Sequence, residues 1–386
     1  MGESQYAKVG VDVRKKGIEV FKSSIQSLYP KAFCVIKQDP DFPQYALVSH
    51  ADSAGSKPVQ SYLNFKETKD INSFKGIAQD VVAMNLDDIV CVGARPISFV
   101  DCVSINKLRV PKENFLRVLN SEIVELREVL RANGLTLPFD GGETADVPDQ
   151  IATLDVSGFM QGRVELSKII TGERILPGNK IIGIRSGGRI RYEKELNSGI
   201  MCNGITLARH SLMSGDYGKK YPETLGSGTS GYFGRFKVTD RIDELGMTVG
   251  EAMCSPTRVF APIVFKILDR FGPSITGLIH NTGGGQTKCL SLGGGVRYVK
   301  RDIPQPDPIF LLIKKESNES WKDMFQDYNM GVGFEIVLEA EVVDQVLSVI
   351  EGFGVEGKVM GEIEASPSGN QVLIESSFGK FAYGDL

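Results

Sequence analysis

Long uninterrupted apolar runs are missing from this 386-residue sequence, so no stretch of it reads as a membrane-spanning segment. An excess of either charge is missing too, since 44 Lys and Arg face 48 Asp and Glu. That balance gives no electrostatic basis for binding nucleic acid or a membrane surface, and a phosphate-bearing ligand must be met by local cations instead. No cysteine pair has C-x-x-C spacing. Cys34, Cys91, Cys102, Cys202, Cys254 and Cys289 are scattered, which reads as reduced thiols in a cytoplasmic protein. The start, Met1-Gly2-Glu3-Ser4, has no apolar signal core behind it. Histidine is scarce, at three, so a histidine beside other candidate groups carries weight.

The stretch Ala51-Asp52-Ser53-Ala54-Gly55-Ser56-Lys57 follows the apolar run Tyr45–Val48. Small residues let such a loop turn its N–H groups towards an anion, and Lys57 adds positive charge. Asp52 suits this setting if a hard cation such as Mg²⁺ lies between it and a phosphate. Strands are expected at Phe33–Ile36, Tyr45–Ser49 and Gln60–Phe65, and residues 13–25 read as a helix or docking arm. From Ile71 to Val92 apolar residues recur at three- and four-residue steps, which predicts a buried helix. It nevertheless carries Asp80, Asp87 and Asp88. At about 100° per residue, Asp80 and Asp87 project within roughly 20° of each other and Asp88 about 80° away. Buried carboxylates need partners or a metal.

Further along, Ile97–Val103 reads as a strand, Pro111–Asn133 as an amphipathic helix stopped by Gly134, and Leu135–Phe139 as a short strand. That strand empties into an acidic turn, Asp140-Gly141-Gly142-Glu143-Thr144, and Ile151–Val164 is a strand. Pro177-Gly178-Asn179 marks a boundary, so two domains are expected, over residues 1–168 and 169–386. Residues 213–247 look like an insertion. Its G-x-G-x-x-G at Gly226–Gly231 is not a dinucleotide fingerprint, because no strand precedes it. Ile205–Leu212 is a predicted helix. Ser255 is expected to cap a helix running to Phe271, which puts Thr257 and Arg258 at an anion-attracting N-terminus. The strand Ile275–Ile279 ends in His280-Asn281-Thr282-Gly283-Gly284-Gly285, where three glycines permit close backbone approach to a ligand. Strands and helices alternate through both halves, a mixed α/β pattern.

Taken as an ordered set, these turns resemble the phosphoribosylformylglycinamidine cyclo-ligase (aminoimidazole ribonucleotide synthetase) family. Tyr6–Asp12 resembles its Y-x-x-x-G-V-D, Asp52–Lys57 its D-G-V-G-T-K, and Asp80–Pro96 its D-L-V-A-M-x-x-N-D-L-x-x-x-G-A-x-P. Gly141–Ala145 equals G-G-E-T-A, Pro256–Arg258 equals P-T-R, and His280 with Thr282–Gly285 matches H-x-T-G-G-G. Phe325–Gly333 is similar to F-x-x-x-N-x-G-V-G. Departures are Ser53 and Ala54 for Gly-Val, Asp87 for Asn, Met201 at a histidine position, and Gln286–Ser291 in place of an acidic segment.

The resemblance implies a two-domain fold whose N-terminal strands pair across a homodimer and whose C-terminal sheet is flanked by helices. It also implies ATP-dependent closure of formylglycinamidine ribonucleotide to 5-aminoimidazole ribonucleotide, with a nucleotide as substrate and no nucleic-acid or membrane partner. Carried over residue by residue, Asp52, Asp88 and Glu143 would hold Mg²⁺. ATP would meet Asp52, Ser53, Ala54, Gly55, Ser56, Lys57, Asp80, Gly141, Gly142 and Thr144. Substrate would meet Asn203, Gly204, Thr257, Arg258, Gly283, Gly284 and Gly285, with Lys57, Asn203 and His280 catalytic. His280 would take over any acid–base role lost at Met201. Alternatives are a thiamine-phosphate-kinase-like enzyme or a nucleotide-binding paralogue without turnover. A selenophosphate synthetase would want a reactive Cys or selenocysteine in the first glycine-rich segment, and a hydrogenase maturation protein a terminal Cys where this chain reads Asp385-Leu386.

Overall fold

A computed structural model describes residues 5–11, 17–21, 23–226 and 228–384. The expected helix or arm over residues 13–25, and Asp12 of the first motif, fall partly or wholly outside them. In chain order the first half holds α1 (Gln5–Lys8), β1 (Ile36–Gln38), β2 (Tyr45–Ser53), α2 (Lys57–Thr68), α3 (Ile77–Val90), β3 (Arg95–Ile105), α4 (Lys112–Ala132), β4 (Gly142–Asp146) and β5 (Leu154–Glu165). Its sheet has the order β1-β2-β5-β3-β4. Along β5 every second residue from Leu154 to Val164 is buried, the period of a sheet covered on one face. That face receives α3, whose Val81, Ile89 and neighbours join one core with Phe99, Val156 and Met160.

The second half holds β6 (Lys180–Arg185), α5 (Ile205–Leu212), α6 (Gly215–Lys220), β7 (Arg241–Ile242), β8 (Met247–Thr248), α7 (Val249–Cys254), α8 (Ala261–Phe271), β9 (Ile275–His280) and β10 (Val296–Lys300). After these come α9 (Pro308–Ser317), α10 (Trp321–Asp327), β11 (Val332–Leu338), α11 (Val343–Gly352), β12 (Gly357–Ala365), β13 (Gln371–Ser376) and β14 (Gly379–Gly384). A seven-stranded sheet runs β14-β13-β10-β12-β6-β11-β9. Every residue of β11 is buried, as expected for a strand covered on both faces.

Four local expectations are corrected. Gln60–Phe65 lies inside α2 and is not a strand; Pro58 in the first turn starts a helix, and the residues from Gln60 to Asn64 are all buried, so the helix is covered around its circumference there. Leu135–Phe139 forms no strand, and the acidic turn after it is itself largely β4, paired in parallel with β3. The helix expected from Ser255 begins at Ala261, because Asp87 accepts the N–H groups of Phe260 and Ala261, both at 2.8 Å, and acts as its cap. The closing strand β14 was not anticipated.

On α4, the residues Phe115, Leu119, Ile123, Leu126 and Leu130 form the buried stripe, and Glu122 is buried beside it. Its carboxylate accepts the Ala78 N–H at 3.3 Å, and burial pushes its pKa up from the ordinary glutamate value to about 7. Because the folded chain holds this proton more tightly than the unfolded one, stability falls as pH rises from the ordinary glutamate range to about 7 and is then level. Glu122→Gln should therefore add about 2–3 kcal/mol at pH 8 and almost nothing at pH 4, measured by urea unfolding.

Candidate functional site

The helix α3 points its three carboxylates at three different partners. Asp80, in the first turn, accepts from Lys57 Nζ at 2.7 Å, from Thr257 N at 2.7 Å and from Thr257 Oγ1 at 2.8 Å. Lys57 also donates to the Ser255 carbonyl at 2.7 Å. Lys57, Asp80 and Thr257 are all buried. Burial alone would lower the lysine pKa, but the Asp80 charge overrides it and keeps the ammonium protonated. Asp87 caps α8 as described, and burial raises its pKa to about 7.

Asp88 bridges two histidines, with His280 Nδ1 at 2.8 Å from Oδ1 and His50 Nε2 at 3.2 Å from Oδ2. Burial would raise its pKa, but the Lys288 charge and the histidine hydrogen bonds hold it well below the usual carboxylate range. His50 and Asp52 sit two residues apart on β2, and the ligand atoms of His50, Asp52 and Asp88 all lie within 4.8 Å of one another. Lys288 itself donates to Thr282 Oγ1 at 2.9 Å.

Three loops meet beside this cluster. A Cβ on Gly55 would lie 3.2 Å from the Cys202 carbonyl, and one on Gly283 would lie 3.6 Å from Asn203 Oδ1. Arg209 of α5 clamps the first loop by donating to Ser56 O at 3.0 Å. Gly204 begins α5 at φ 77°, and its carbonyl accepts the Tyr328 hydroxyl at 3.1 Å. Gly285, at φ 47°, passes so close to Tyr328 that a Cβ would lie 2.3 Å from its carbonyl oxygen, which requires glycine there. Asn203 Nδ2 is buried with no partner among the described residues, a donor left for a ligand.

The structure thus brings Asp52, Gly55, Asn203, Gly204, Asp88 and the loop from His280 to Gly285 into one region, with Lys57, Asp80 and Thr257 in a buried node behind it. Other expected members stand apart. Arg258 is saturated: it donates to Glu193 and to the carbonyls of Arg185, Gly187 and Gly188, so it has no free N–H for a substrate phosphate. Glu143 does not join the expected Mg²⁺ triad within one chain. It pairs with Cys102, whereas Asp52 shares its row with Gly158, Asp101 and Gly142, so Glu143 faces the other side of the sheet. Three strand spacings of about 4.8 Å also put β4 roughly 14 Å from β2. Gly141, Gly142 and Thr144 move away with it. His280, within the region, is wholly buried between Phe260 and Phe334; its Nδ1 touches and orients Asp88, and its Nε2 has no partner among the described residues. Met201 is buried too, at φ 58°.

His50, Asn85, Arg209 and Lys288 were not singled out in the sequence. His50 and Asp52 share a face because β2 runs on to Ser53, past the end expected at Ser49, where a loop had been read. A separate cleft of about 820 Å³, lined by Gln79, Glu122, Tyr192, Asn197 and Pro256 among others, includes none of His50, Asp52 and Asp88. No helix among the described residues is long and apolar enough to cross a membrane.

Comparison with known proteins follows this geometry. Residues 33–164 match the family described as AIR synthase related protein, N-terminal domain. The chain is 28% identical over 335 residues to the phosphoribosylformylglycinamidine cyclo-ligase of Methanocaldococcus jannaschii, covering 86% of this chain and 83% of that one. It is 29% identical over 386 residues to the protein of that name from Carboxydothermus hydrogenoformans, covering 95% and 97%. T. maritima PurL complexed with FGAR superposes with a TM-score of 0.56 at 13% identity, over 98% of this chain but 51% of that one, so this chain spans about half of PurL. The hydrogenase maturation protein HypE gives 0.54 at 16% identity over 88% of each chain. At these identities the structural likeness is one of fold, a mixed α/β architecture with two sheets.

Proposed function

We propose that this chain, whose residues 33–164 match the AIR synthase related protein N-terminal domain, is an ATP-dependent cyclo-ligase converting formylglycinamidine ribonucleotide to 5-aminoimidazole ribonucleotide. The observation that carries the reading is the meeting of the 52–57, 200–204 and 281–285 loops around the unpartnered Asn203 amide, beside a carboxylate cluster. Small-residue loops offer N–H groups to phosphates, and Asn203 offers a donor to the substrate. Asp52 and Asp88 would hold Mg²⁺, which, when bound, neutralises charge on the phosphates. The partly exposed Asp52 and the depressed pKa of Asp88 fit such an ion.

In the reaction the amide oxygen attacks the γ-phosphorus and ADP leaves. The amidine nitrogen then bonds to the activated carbon, the C–O bond breaks to release phosphate, and a nitrogen-bound proton is lost. The role of this chain is to position and shield: Lys57, through Asp80, fixes the root of the first loop, and His280 orients Asp88. The assay is ADP release with and without formylglycinamidine ribonucleotide. Release that depends on that substrate is the expected result, and release indifferent to it would sink the substrate assignment.

The same reading includes a homodimer. On the uncovered sheet face, Ala51, Phe159 and Val100 lie in one row, and Phe159 is 40% exposed. A groove of about 440 Å³ runs over this row. An apolar row of this kind is a surface for a second copy. A dimeric mass at micromolar concentration by light scattering is expected, and a monomer would count against it.

A further inference from the structure

We propose that His50, Asp52 and Asp88 form a divalent-cation site whose imidazole ligand makes it prefer a first-row transition ion, such as Mn²⁺, over Mg²⁺. The site is built from two elements. Residues two apart on a strand share a face, so β2 presents His50 and Asp52 together towards α3, which supplies Asp88. Their ligand atoms lie within 4.8 Å of one another, with His50 Nε2 and Asp88 Oδ2 3.2 Å apart. For metal–ligand distances near 2.1 Å, neighbouring ligands of an octahedral ion stand about 3.0 Å apart and opposite ones about 4.2 Å. Shifts of less than about 1 Å therefore bring all three onto one ion, leaving positions for water or phosphate oxygens.

A second observation fixes the chemistry of the imidazole. The Asn85 amide nitrogen donates to Val81 O at 2.9 Å and to Asp52 O at 3.2 Å, so its oxygen is turned to His50 Nδ1 at 3.4 Å. An amide oxygen only accepts, which puts a ring proton on Nδ1; without an ion a second proton on Nε2 pairs with the Asp88 carboxylate oxygen. A divalent cation bound between the two groups would take the place of that proton and be ligated by both. This orientation of a ring by a bond at its other nitrogen is how metal-binding histidines are held. The His50 side chain is 22% exposed, so an ion can enter from solvent.

The ligand set decides the class of ion. Mg²⁺ favours an all-oxygen shell, whereas an imidazole nitrogen raises affinity for transition ions. No thiolate contributes, since Cys34 Sγ is turned to the Asp88 carbonyl at 3.1 Å and burial pushes its pKa up. Lys288, which donates to Thr282 and whose charge is felt at Asp88, opposes any cation there, so the ratio of affinities is more telling than either alone. The inference rests on the proposed phosphoryl transfer for its purpose but not for its test, which reads no turnover.

The test titrates the full chain with Mn²⁺ by electron paramagnetic resonance, with Mg²⁺ as competitor. One Mn²⁺ per chain, held at least about tenfold more tightly than Mg²⁺, is expected, with nitrogen modulation in the pulsed spectrum. His50→Ala should bring the two affinities to within about threefold and remove the modulation. Absence of nitrogen modulation in the unsubstituted protein overturns the proposal whether or not the variant folds, as does an unchanged ratio in a folded variant.

Discussion

Lys57→Met should lower the free energy of unfolding by about 3–5 kcal/mol, read as an earlier midpoint in urea, and should not merely slow turnover. The size of the effect comes from what is left behind. Lys57 and Asp80 are 1% and 0% exposed, and removing the ammonium leaves a carboxylate in the interior with only the two Thr257 donors. An isolated buried charge is far more costly than the intact pair is stabilising. Adding Asp80→Asn to Lys57→Met should restore a large part of the loss, because the amide oxygen still accepts from Thr257 and no charge remains. If Lys57 served chiefly to touch phosphate, the single variant would unfold like the parent and lose activity alone. That outcome would overturn the assignment of a structural node.

Asp88→Asn should lower substrate-dependent ADP release by about 10²–10³-fold, the scale for removing one fixed electrostatic group from an active site. The substitution keeps the shape of the side chain, so the effect is one of charge. One amide oxygen replaces a carboxylate that now accepts from His280 and faces His50. The amide nitrogen must also point at one of the two rings, which breaks the bridge on that side. A near-normal rate in a folded variant would place the chemistry away from α3.

How much of this was legible in the sequence differs from residue to residue. The burial of α3, with its burden of three acids, was read from periodicity, and the glycine turns that now surround Asn203 from runs of small residues after apolar ones. The separate tasks of Asp80, Asp87 and Asp88 were not. Their angular spacing is local, but their partners Thr257, Phe260 and His280 lie more than 170 positions further along, and no pattern in a single chain encodes that pairing. Arg258 shows the converse failure. Its motif is similar to one in the cyclo-ligase family, yet its guanidinium is spent on Glu193 and three carbonyls brought up by the 185–193 turn. Glu143 was misjudged because the acidic turn became a strand, and a strand fixes which face a side chain takes. The same rule gives His50 and Asp52 a shared face, but the strand was expected to stop at Ser49 and in fact continues to Ser53.

The way α3 is gripped has a consequence for how the two halves of the chain can be produced. A helix belonging to the first sheet supplies the cap of α8, the counter-ion-bearing root of Ser255–Thr257 and the orientation of His280, all of which belong to the second. Cutting the polypeptide between residues 168 and 169 would therefore not release two self-sufficient pieces. Each would display half of a set of buried polar contacts to water, and co-expression should recover a complex that neither fragment can imitate alone.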